Sequence, residues 1–137
     1  MYDIEKIIKI IKEIKDYERE LEEMGVNSLK DLDEPKTIHA TSMLCFAILN
    51  RVIDLGQEIL IKEEAGFPSR YADIFYNLAK IGFMDKKEAE ELKQLIDFRN
   101  IIAHAYFELG KKDILKMVEG IFIIDKFIEK IKKRVKK

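Results

Sequence analysis

A chain of 137 residues is the usual size of one folded domain, and 47% hydrophobic residues can supply a core. Six glycines and two prolines are too few for a turn-rich β protein. A net charge of −1 does not mark a nucleic-acid binder, and the lone Cys45 excludes an intramolecular disulfide.

The first helix is expected over roughly 3–24, where Ile4, Ile7, Ile8, Ile11, Ile14, Leu21 and Met24 recur at helical spacing. Gly25 is a natural stop, and a linker follows to Lys36, with Pro35 suited to a helix start. The second helix is expected over 37–64, with Leu44, Ile48, Val52, Leu55 and Ile59 in a seven-residue rhythm. Within it, Cys45 lies in an apolar run and reads as a buried, inert thiol. His39, near the start, reads as structural or surface. The run Gly66-Phe67-Pro68-Ser69 breaks the pattern. A short third helix is expected over 70–81, with Ile74, Phe75 and Leu78 inward. Asp85 then caps a fourth, with Glu88 as its capping-box partner, ending at about Ala103–Tyr106. The fifth runs from Lys111 to Val135, and Gly120 inside it permits a close helix contact.

Four long helices and one short one predict an all-α, up-and-down bundle, a single domain over residues 1–137. Apolar excess such as Ile121-Phe122-Ile123-Ile124 points to a second buried face, hence a homodimer. Residues 1–34 carry eleven acids and six bases, while Lys126–Lys137 carries seven bases and one acid. That tail reads as a solvated helix end, where cations suit the helix dipole, or as a phosphate contact. With no signal peptide and no apolar run near the ~20 residues of a membrane span, a cytoplasmic protein without membrane association is expected.

The fourth helix carries the chemistry. At roughly 100° per residue, Leu92, Leu95, Ile96, Phe98, Ile102 and Ala103 form one apolar arc, and Arg99 falls in its middle. A guanidinium there must be paired, by a carboxylate or helix C-termini, or open onto a polar cavity. Asp97 and His104 align on the other side, with Asn100 one turn from His104. Read alone, His104 is a helix cap, a satisfied polar residue or an acid–base catalyst. Arg99 and His104 stand roughly 140° apart around a regular helix. They converge only if Arg99 curls, the helix end distorts or a second subunit completes the site. No zinc-like Cys/His spacing, Walker loop or dinucleotide-binding glycine pattern is present. Asp97 with His104 would be too few ligands for a metal. No metal or cofactor is therefore expected.

Arg99 to His104 reads R-N-I-I-A-H, and His104-Ala105-Tyr106 completes R-x4-H-x-Y. This resembles the HEPN superfamily, in particular the HepT-like toxins of HepT–MntA toxin–antitoxin systems. Asn50-Arg51, the run Pro68 to Phe75, Leu78 with Gly82, and Phe98 extend the likeness, which covers about residues 40 to 130. The resemblance implies a HEPN-like fold and a metal-independent endoribonuclease toxin that cleaves RNA, with Arg99, Asn100 and His104 catalytic. His104 would take the 2′-OH proton or protonate the leaving oxygen, and Arg99 would clamp the phosphate. Asn100 would orient His104 or hold a phosphate oxygen. A dimer would bring two histidines to one cleft. The resemblance also implies an MntA-like nucleotidyltransferase antitoxin that adds AMP to Tyr106, which otherwise reads as an amphipathic packing residue. Two other readings stand beside it: a non-catalytic nucleotide-binding or interaction module that partners a nucleotidyltransferase, and a plain helical dimer in which Arg99 is structural.

Overall fold

Asp3 opens the first helix, its carboxylate accepting the Lys6 N–H at 3.1 Å and so satisfying a donor that the first turn leaves open. In the computed structural model, which describes residues 2–136, α1 runs Ile4–Met24 and stops at Gly25. Gly25 has φ +66°, a left-handed conformation that glycine adopts without strain. Ile7, Ile10, Ile11, Ile14 and Leu21 are buried, whereas Ile4 and Ile8, expected on the same side, are exposed. The inward stripe is thus narrower than the isoleucine pattern.

A 3-10 turn, Leu29–Leu32, leads to α2, Pro35–Lys62, with Pro35 in its first turn. This helix is the spine of the molecule. Cys45, Ile48, Val52, Leu55 and Ile59 are fully buried along it. Burial pushes the Cys45 thiol up to about 12, so it stays protonated and unreactive. Gly56 lets the next helix close in, since a Cβ there would lie 2.9 Å from Ile74 Cγ2.

The third helix, α3, is Asp73–Lys80, three residues later than the periodicity indicates. Tight turns precede it: the Arg70 carbonyl accepts from Asp73 N–H at 3.1 Å and the Tyr71 carbonyl from Ile74 N–H at 3.2 Å. Ile74, Phe75 and Leu78 point inward as expected. Phe75 meets Phe127 edge-on at 5.7 Å between centroids.

The capping box expected at Asp85 is present. Asp85 Oδ1 accepts from Glu88 N–H at 2.8 Å, and Glu88 Oε1 accepts from Asp85 N–H at 3.4 Å. From this cap α4 runs Lys86–Ala105, with Ala89, Leu92, Leu95 and Ile96 buried. A short 3-10 turn, Tyr106–Glu108, follows.

The last stretch is two helices, α5 (Lys111–Glu119) and α6 (Ile121–Val135), with the break at Gly120. The close contact expected there is real, since a Cβ on Gly120 would lie 2.7 Å from Leu95 Cδ2 of α4. Within Ile121–Ile124, Ile124 is buried, Ile121 and Ile123 are half-buried, and Phe122 is exposed. Much of the basic tail is engaged in the fold. Lys130 pairs with Glu88, and Arg134 pairs with Glu63 at 2.9 Å while stacking on Phe83.

The architecture is the expected all-helical bundle. Among the described residues no helix is long and apolar enough to cross a membrane.

Candidate active site

The site is built where α4 ends against α2. Along α2, His39, Ser42, Phe46 and Asn50 follow at spacings of three, four and four, which is one face of a helix. That face receives the motif of α4 in antiparallel register. Phe46 and Asn50 meet Arg99, and His39 and Ser42 meet Tyr106.

Arg99 is half-buried, and the means of stabilising its charge is specific. Its Nε donates to Asn50 Oδ1 at 2.6 Å, and its Nη1 donates to Asn100 Oδ1 at 2.9 Å. The guanidinium carbon lies 5.3 Å from the Phe46 ring centroid and 5.2 Å from that of Tyr71. Two aromatic faces and two amide oxygens thus hold the cation. Each ring contributes on the order of 0.5–2 kcal/mol, and neither cancels the charge. Among the described residues no carboxylate lies within ion-pair distance of Arg99.

Arg99, Asn100 and His104 line one cleft of about 730 Å³, walled opposite by Ser69–Asp73 and Tyr76. Although about 140° separates Arg99 from His104 around the helix, they share this space. Arg99 lies at the α2 contact, and the Tyr71 turn folds over it. The chain leaves helical geometry only after His104, at Ala105, with φ −153° and ψ 48°. His104 is exposed.

The other cations on the cleft wall are paired, Arg70 with Asp73 at 3.4 Å and Lys93 with Asp97 at 2.7 Å. Arg99 is therefore the cleft's cation without a carboxylate partner among the described residues, which makes it a place for an anion. Asn100 bonds Arg99 rather than His104, leaving its amide nitrogen able to donate into the cleft. Asp97 is engaged by Lys93. Among the described residues no group of three His, Cys, Asp or Glu could hold a metal ion.

Tyr106 is not on the cleft wall. Half-buried past the end of α4, it turns to α2, where its hydroxyl lies 2.8 Å from His39 Nδ1 and donates to Ser42 Oγ at 3.1 Å. His39, read from sequence as structural or surface, is thus brought to the motif from 67 residues away. Its spacing to Ser42 was legible, but nothing local tied either to Tyr106. Phe46 was hidden in the same way, whereas Asn50 belonged to the extended resemblance.

A family model described as Ribonuclease HepT-like matches residues 4–133. The chain belongs to the HepT-like ribonuclease family. Solved structures share the fold. A toxin–antitoxin structure with AMP-PNP matches with TM-score 0.85 at 21% identity, over 93% of this chain and 97% of that one. A tri-AMPylated Shewanella oneidensis HEPN toxin in complex with an MNT antitoxin matches with TM-score 0.85 at 24% identity, over 97% and 99%. YutE from Bacillus subtilis, a cytosolic protein of unknown function, matches with TM-score 0.81 at 20% identity, over 98% and 93%. No curated protein sequence matches the chain. The HepT-like family match spans all six helices, from the first residue of α1 to two residues short of the end of α6.

Proposed function

We propose that this HepT-like chain is the toxin of a toxin–antitoxin pair, a metal-independent endoribonuclease whose centre is the Arg99–His104 cleft. The observation that carries the reading is Arg99. Its charge lies over the rings of Phe46 and Tyr71, without a carboxylate partner among the described residues, in a cleft that also holds an exposed histidine. An RNA phosphate supplies the missing anion. Imidazole can take or give a proton near neutral pH, which suits His104 to the acid–base work. The 2′-oxygen attacks its neighbouring phosphorus as His104 accepts the 2′-proton. The bond to the 5′-oxygen then breaks as the histidine of a second motif gives that oxygen a proton, leaving a 2′,3′-cyclic phosphate and a 5′-hydroxyl. Arg99 and the Asn100 amide nitrogen stabilise charge on the phosphate oxygens. All the nucleophile needs is already in RNA, so the reaction requires no metal.

One histidine cannot serve as base and acid in the same displacement, so the reading includes a homodimer with two motifs in one cleft. Exposed Phe67 and Phe107, two residues before Ser69 and three after His104, offer apolar surface for that contact. The toxin–antitoxin and tri-AMPylated relatives support a second part of the reading. In it, a minimal nucleotidyltransferase antitoxin silences the chain by transferring AMP to Tyr106. A bulky anion two residues from His104 would repel RNA phosphate.

The test is incubation with an RNA and with its 2′-deoxy counterpart, both in EDTA. Cleavage of the RNA alone is expected. Cleavage of both, or cleavage abolished by EDTA, would contradict the proposed chemistry.

A further inference from the structure

The Tyr106 hydroxyl sits in a cluster with more chemistry than packing requires. Ser42 Oγ donates its own proton to the Ile38 carbonyl at 2.7 Å, as a hydroxyl one turn further along the helix can. Its oxygen is therefore an acceptor toward Tyr106, at 3.1 Å. The shorter contact of the phenol oxygen is His39 Nδ1, at 2.8 Å. The two rings are tilted by 55° with centroids 5.7 Å apart, so they do not stack face to face, and what joins them is the oxygen–nitrogen contact. The phenol has one proton and two acceptors for it: with the exposed His39 ring protonated on Nε2, the bare Nδ1 is the nearer, and rotation of the O–H turns the proton from Ser42 Oγ to Nδ1.

Resting on the reading that Tyr106 is a modification site, we propose that His39 is the base that activates it. It accepts the phenol proton on Nδ1 as the oxygen attacks the α-phosphorus of a nucleoside triphosphate. The balance closes within named groups. The phenol O–H bond breaks, and its proton goes to His39 Nδ1. The tyrosyl O–P bond forms, and the bond from α-phosphorus to the bridging oxygen breaks to release pyrophosphate. The triphosphate and its metal come with the nucleotidyltransferase. As negative charge grows on the phenol oxygen, the new Nδ1–H faces it, and the Ser42 hydroxyl can swing from Ile38 to donate to it. A tyrosine at the end of a helix, unaided, is a weak nucleophile near neutral pH, because phenol loses its proton only near pH 10. The His39 contact removes that obstacle at one tyrosine. Tyr76, by contrast, donates to Glu90, and that hydrogen bond pushes its phenol up.

The nucleophilicity of Tyr106 is measurable without any partner. The intact, full-length chain is treated with an aryl sulfonyl fluoride, which captures activated phenols. The labelling of each tyrosine is then followed by peptide mass spectrometry, with Tyr71 as the internal reference. His39→Ala and His39→Gln are both expected to lower the Tyr106 rate by at least roughly a hundredfold, the low end for a lost general base, with Tyr71 unchanged. Added imidazole should restore His39→Ala. Glutamine can hold the phenol but cannot take its proton, so a wild-type rate in His39→Gln would overturn the assignment, as would unchanged rates in both variants. A second arm presents the complex of the chain and a minimal nucleotidyltransferase with magnesium ATP. There His39→Ala should lower kcat for adenylation while leaving KM for ATP in place. A wild-type chain that gains no AMP on Tyr106 would overturn the modification reading. The sulfonyl fluoride rates decide the role of His39 separately.

Discussion

The two ends of the motif, seven residues apart, are stabilised in opposite ways. At Arg99 a permanent charge is held by amide oxygens and aromatic faces, groups that orient it without neutralising it. At Tyr106 a neutral hydroxyl meets a histidine nitrogen at 2.8 Å and a serine oxygen at 3.1 Å. Both ends rest on the same face of α2, yet one opens onto the cleft and the other does not. On the proposed reading, the difference separates two tasks that the sequence compresses into R-x4-H-x-Y. Anion binding needs an uncompensated charge. A modification site needs a nucleophile with a base beside it.

Changing the Arg99 end should have the largest effect. Arg99→Ala is expected to lower RNA cleavage by about 10²–10³-fold, the usual loss for one donor to a developing anion. Arg99→Lys should recover little of it, because an ammonium keeps the charge but not the planar fork that stacks between Phe46 and Tyr71 while bonding Asn50. Single-turnover cleavage rates check both, and full activity in Arg99→Lys would erase the distinction drawn here.

A smaller effect is expected at the other end. Tyr106→Phe removes a hydroxyl but leaves Ser42 bonded to Ile38. Stability should fall by only about 0.5–1.5 kcal/mol, readable in denaturant unfolding, with RNA cleavage retained and labelling at this position lost. A large loss of cleavage would mean that the two ends are one site.

The smallest change, far from the motif, sharpens the comparison as a control. Burial first, and the adjacent Asp125 carboxylate second, push Glu18 on α1 up to about 7. An unfolded glutamate titrates near 4.3. Between those values the folded chain binds a proton that the unfolded chain does not. Stability from this group is therefore greatest in acid and falls as pH rises to about 7. Glu18→Gln should remove that decline, raising Tm more at pH 8 than at pH 5, with cleavage unaltered.

How much of this the sequence disclosed follows from the range of the forces involved. Helices were legible because periodicity, the Asp85 cap and the Gly25 stop act within a few residues. Periodicity starts α3 three residues too early, since the turns that lay Tyr71 over Arg99 answer to a contact 28 positions away. The break at Gly120 was legible only as a place of close approach. Arg99 stood out because an uncompensated cation on an apolar arc needs an explanation wherever it occurs. How that charge is held depends on Phe46 and Asn50, about fifty residues distant, and no spacing rule reaches that far. His39 was invisible for the same reason: an ordinary polar residue near a helix start gains meaning only beside Tyr106.

The most direct measurement is the cleavage rate of a defined RNA in EDTA by His104→Ala, set beside Tyr106→Phe. His104 is exposed, so its removal should leave the fold intact. His104→Ala should lose cleavage by at least about 10²-fold while Tyr106→Phe keeps it. Cleavage retained by His104→Ala would contradict it.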